Sequence, residues 1–100
     1  MLFDLLDAIP ISNETVNQYN DLAFYLQQNS HEELFAQYVL ERIITIFPDK
    51  IVAYLNLGDT YWDLENFEKA KQAYRKYISL MKTEGNENKV PIIIWMFLTD

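Results

Sequence analysis

The apolar positions along this chain recur with the period of an α-helix. Tyr54, Leu57, Gly58 and Tyr61 fall at i, i+3, i+4 and i+7, the stripe that one helix face presents to a neighbour. An offset of 35 residues leads back to Tyr19, Leu22, Ala23 and Leu26, in the same order of large, large, small, large. The small third residue predicts that a second helix backbone approaches closely there. Further along, the offset becomes 34 and pairs Ala36 with Ala70, Leu40 with Tyr74, Ile43 with Tyr77, Ile44 with Ile78 and Phe47 with Met81. A unit of two helices therefore occurs twice.

The change of offset places the turns. "QQNSHEELF" between Leu26 and Ala36 is one residue longer than "WDLENFEK" between Tyr61 and Ala70. Turns accept an insertion and helix interiors do not, so the junctions fall near Asn29-Ser30 and Glu65-Asn66. Ser30 with Glu33 reads as a capping box for the helix that follows, and Asn66 as the cap of its counterpart. Pro48-Asp49 ends one unit and opens the next.

Composition narrows the class. A chain of 100 residues that is half hydrophobic, with only two glycines and three prolines, is one packed helical domain. Eight basic against fifteen acidic residues leave a net charge of −7, a sign that repels nucleic-acid phosphates and anionic lipid. The absence of cysteine excludes disulfides and thiolate metal sites, and the lone His31 cannot hold a metal by itself. The opening "MLFDLLDAIPIS" contains Asp4 and Asp7 and no basic residue, unlike a secretory leader, so the expected compartment is cytoplasmic. Ile92 to Leu98 is too short to span a bilayer. Catalysis is not expected: Asp59 and Asp63 are i, i+4 neighbours with no adjacent nucleophile or histidine, and no cofactor motif is present.

Tyr54-x2-Leu57-Gly58-x2-Tyr61, followed by Ala70-x3-Tyr74 and preceded by Pro48, resembles the signature of the tetratricopeptide repeat family. Ala23 and Leu26 stand for the glycine and tyrosine in the first unit, and Lys82 replaces the proline expected after the second. The resemblance implies an all-α fold, a right-handed stack of antiparallel helix pairs. An N-terminal segment would cover 1–12, repeats 13–47 and 48–82, a loop 83–90 and an apolar capping helix 91–100. It also implies a concave groove lined by the first helix of each pair.

With the Tyr54 stripe turned toward the partner helix, the adjoining face carries Val52, Leu55, Asp59, Trp62 and Asp63, and in the first unit Asn17, Asn20, Phe24, Gln27 and Gln28. Amides can bond a peptide backbone, Phe24 and Trp62 can grip apolar side chains, and the two exposed aspartates favour Lys or Arg. The expected partner is therefore a peptide segment or basic protein surface. The lysine and arginine clamp with which some family members hold a terminal carboxylate is missing. A small acidic inhibitor of the antitoxin or immunity kind, covering a basic nuclease site, is the alternative reading.

Two expectations concern the remaining helices. Lys69, Lys71, Arg75 and Lys76 lie mostly on an outer face and pair locally with Glu65, Glu68 or solvent. Pro91 opens a short helix whose Ile92, Ile93, Trp95, Met96 and Leu98 pack on the preceding helix or on a second copy of the chain, with Ile92, Trp95 and Met96 as the contacts of a homodimer.

Overall fold

The computed structural model describes residues 2–29 and 31–99, and within them every regular element is helical. The helices are α1 (Leu2–Ala8), α2 (Val16–Gln28), α3 (Glu33–Ile46), α4 (Ile51–Asp63), α5 (Phe67–Thr83) and α6 (Ile92–Leu98), with a 3-10 turn at Glu87–Lys89. Helix α2 packs on α3 and α4 on α5, while α3 and α2 both contact α4. The two pairs thus stack side by side. The least extent of the molecule, 18 Å, is that of two helix layers at the usual 8–10 Å spacing.

The turns follow the sequence reading. Residues 29–32 join α2 to α3 and residues 64–66 join α4 to α5, so the extra residue does sit in the first turn. Asn66 caps α5 by accepting from the Lys69 amide at 3.4 Å. The cap expected at Ser30 lies outside the described residues, and the residue flanking α3 is Glu32, which makes no side-chain cap bond. The unpredicted α1 is tied down by Tyr19, whose hydroxyl donates to the carbonyls of Leu5 and Ile9. Ser12 and Thr15 close the entry to α2: the Ser12 amide donates to Thr15 Oγ1 at 2.9 Å and the Glu14 amide to Ser12 Oγ at 3.3 Å.

Helices α4 and α5 end alike. At α5, Gly85 takes φ 75° while its amide bonds the Lys82 carbonyl and that of Asn86 bonds Met81. At α4 the same turn is made by Glu65, at φ 60°, with Glu65 bonded to Trp62 and Asn66 to Tyr61. A side chain in this left-handed region costs about 1–2 kcal/mol, tolerated here because the paired carbonyls hold the turn.

Tyrosines fill much of the core, and their hydroxyls are satisfied inside it. Tyr54 donates to the Pro48 carbonyl at 2.7 Å, Tyr61 to Glu41, and Tyr74 to Asp59 at 2.6 Å. Among the described residues no buried side-chain polar atom lacks a partner. Gly58 meets the Tyr74 ring, not a second backbone. A Cβ at Gly58 would lie 2.4 Å from Tyr74 Cε1, so the small residue makes room for an aromatic side chain of α5.

Helix α6 docks on α5 and, through Phe97, on Trp62 of α4. Its buried face differs from the expected one. Ile94 is 2% exposed, with Phe97 and Leu98 packed beside it, whereas Ile92 is 78% and Met96 63% exposed, and Ile93 and Trp95 also face outward. The run is apolar all round, so no polar stripe told which side would turn inward.

Candidate functional site

Helices α2 and α4 lie side by side, and their polar side chains bond across the seam. Lys50 Nζ donates to Asn17 Oδ1. Asn56 Nδ2 donates to Asn20 Oδ1 at 3.3 Å, with both residues buried. Gln27 Nε2 donates to Asp63 Oδ2 at 2.6 Å and Gln28 Nε2 to Gln27 Oε1 at 3.0 Å. Asn20, expected on the open face, is buried, and its Oδ1 helps hold the two helices together. Leu55 is half-buried against the core.

The expected face divides in two. Asn17, Gln27 and Asp63 keep to the α2 side. Asp59 and Trp62 turn instead toward α5 and α6. Trp62 stacks on Phe97, with centroids 4.1 Å apart and planes at 20°, and meets Phe67 edge-on at 4.8 Å. Asp59 is half-buried and accepts from the Tyr74 hydroxyl, so the expectation of an exposed acid there does not hold. The physical reason is the same for both: α6 and the Tyr74 ring cover the α4 stripe that periodicity alone leaves bare.

Burial pushes the Asp59 carboxyl above its ordinary value of 3.8; the Tyr74 hydroxyl opposes the shift and the charge of Asp63 adds to it. Burial and the same carboxylate drive the Tyr74 phenol strongly upward, so it stays a donor. Because the folded state holds the Asp59 proton more tightly than the unfolded chain, this group's contribution to stability is greatest at low pH. It declines as pH rises from about 3.8 through the raised folded value. Asp59→Asn keeps an acceptor for Tyr74 and cannot ionise. The difference in Tm between D59N and the parent should therefore move in favour of D59N between pH 3 and pH 7, as thermal melts at a series of pH values will show.

What remains open on the α2 side is aromatic. Phe24 is 50% and Tyr25 61% exposed, and with Gln28 and Asn29 they line a shallow hollow at the end of α2. Tyr25 was missed because it lies outside the stripe of inward positions, and only its adjacency to Phe24 could have marked it. Among the described residues no group of three or more His, Asp or Glu side chains is placed to hold a metal. No described helix is long and apolar enough to cross a membrane.

Residues 51–82 match the family model described as tetratricopeptide repeat. The α4–α5 pair is similar to a tetratricopeptide repeat. The match opens at the first residue of α4 and ends within the last turn of α5, so the similarity spans the whole helix pair with its turn. Inside the matched segment, Gly58 lies against the Tyr74 ring, a close contact between the two helices. The α2–α3 pair lies outside the match and is related to it by corresponding positions: Ala23 occupies the place of Gly58, and Leu40 that of Tyr74. No curated protein and no solved structure matches the chain.

Proposed function

We propose that the chain is a protein-interaction module whose α2–α4 side takes a basic segment of another protein, anchored by an apolar side chain on Phe24 and Tyr25. Tetratricopeptide repeats generally bind other proteins, which sets the class. The observation that carries the finer reading is the exposed Phe24–Tyr25 pair within a stretch, residues 1–41, that contains no Lys or Arg. Asp21 is exposed on the same helix, and Asp63 reaches the seam beside Gln27. An aromatic anchor supplies affinity, and the surrounding negative field selects the sign of the partner.

Selection of phage-displayed random peptides tests it. Enriched sequences should carry Lys or Arg around an aromatic or aliphatic residue. Phe24→Ala should weaken the best of them by about tenfold or more, as expected for an aromatic anchor. Asp21→Lys with Asp63→Lys should slow association, most clearly at low salt. An acidic consensus, or unchanged binding in both variants, would place the interface elsewhere.

A further inference from the structure

We infer that a second docking site lies in the furrow between α3 and α5, and that it takes an acidic amphipathic helix of a partner protein. The furrow encloses about 240 Å³. Its floor is the α4 stripe of Tyr54, Leu57 and Tyr61, and Ile44 of α3 lines one side. On the other side Lys69, Gln72, Ala73 and Lys76 follow a single stripe of α5 at i, i+3, i+4 and i+7. The two lysines stand two turns apart, roughly 10 Å along the axis. Ala73 between them is small and leaves the hollow open.

Local pairing with Glu65, Glu68 or solvent was expected here; Lys69 and Lys76 are exposed, and among the described residues no ion pair joins either to Glu65 or Glu68. Lys69 lies over the Tyr61 ring, 5.7 Å from its centroid. Glu41, which accepts from the Tyr61 hydroxyl, is held in place by a second donor, Gln37 Nε2 at 3.2 Å.

Charge selects the occupant. Helix α5 carries Lys69, Lys71, Arg75, Lys76 and Lys82 against the one acid Glu68, on a chain whose net charge is −7. An apolar floor alone would accept any hydrophobic side chain. Two ammonium groups flanking it select a segment with a carboxylate on either side. On a helix, acids at i and i+7 around leucines at i+3 and i+4 meet that spacing. The inference is independent of the α2–α4 reading, because the two sites share no residue.

The probe is an acetylated, amidated alanine-based helical peptide with Glu at i and i+7 and Leu at i+3 and i+4, titrated into the full chain and followed by two-dimensional amide NMR. The amides of Ile44, Tyr61, Gln72 and Ala73 should shift. Lys69→Glu with Lys76→Glu should weaken binding by about tenfold or more, as should exchanging the peptide's glutamates for lysine. Thermal melts will establish that the variant is folded; if it is not, K69Q with K76Q replaces it, with a smaller loss expected. Shifts confined to other surfaces, equal binding by the lysine peptide, or undiminished binding by the folded variant overturns the proposal. Decanoate producing the same shifts with equal affinity would assign the furrow to fatty-acid carboxylates and also overturn it.

Discussion

Replacing Gly58 with alanine is expected to lower Tm by on the order of 10 °C, although alanine is the better helix former by about 1 kcal/mol. The added Cβ would lie 2.4 Å from Cε1 and 2.5 Å from Cδ1 of Tyr74. That ring has nowhere to go. It is fully buried, its hydroxyl is bonded to Asp59 at 2.6 Å, and its face lies 5.6 Å from the Phe97 ring. Overpacking of a filled core costs about 1–3 kcal/mol, and the upper end applies where the obstructing atoms belong to an anchored aromatic. The net loss is about 2 kcal/mol, combining that cost with the helix-propensity gain.

The first helix pair suggests the control. There Ala23 and Leu40 hold the positions that correspond to Gly58 and Tyr74, and both are fully buried. Size is conserved across each pair: glycine with tyrosine, alanine with leucine. In the Y74L background Gly58→Ala should therefore cost nothing or stabilise, even though Y74L alone forfeits the bond to Asp59. A double-mutant cycle by chemical denaturation measures this coupling. Equal cost in both backgrounds would show that the ring contact is not why glycine stands at 58.

Replacing Phe97 with alanine is expected to undock α6 and to lower stability by about 3 kcal/mol, the lower end of the Phe→Ala range, for a side chain that is not fully buried. Phe97 packs against both Trp62 and Tyr74, and its loss exposes both along with Ile94. Deletion of residues 91–100 should do at least as much, since the uncovered faces of α4 and α5 then meet water or one another. Ile92→Ala also truncates an apolar side chain, on the outward side of the same helix, and should shift Tm by no more than a degree or two. Thermal melts, Trp fluorescence and light scattering would separate these outcomes. Equal effects of F97A and I92A would mean that α6 does not dock by the Ile94–Phe97–Leu98 face.

Much of the architecture was legible in local signals. The stripe at Tyr54, Leu57, Gly58 and Tyr61, its echo at Tyr19, and the slip from 35 to 34 located two helix pairs and the longer turn. These features depend on residues within a few positions of one another, where helical period and turn chemistry operate. The candidate binding face was legible only in part. Phe24 and Asp63 reach the α2 side as the spacing indicated, while Asn20, Asp59 and Trp62 are each engaged by a residue distant in sequence: Asn56, Tyr74 and Phe97.

The sequence by itself determined that this chain is a stack of two helix pairs and which stripe of each helix meets its own partner. Period and capping act within a turn or two and survive any arrangement of the rest. Only the tertiary structure decided which aspartate is buried, which tryptophan is covered and which side of "IIIWMFL" turns inward. An aspartate beside a tyrosine hydroxyl, or an indole under a phenyl ring, is defined by segments brought together from far apart. A helix apolar on every side carries no internal mark of its orientation, so the surface it lands on chooses the face it buries.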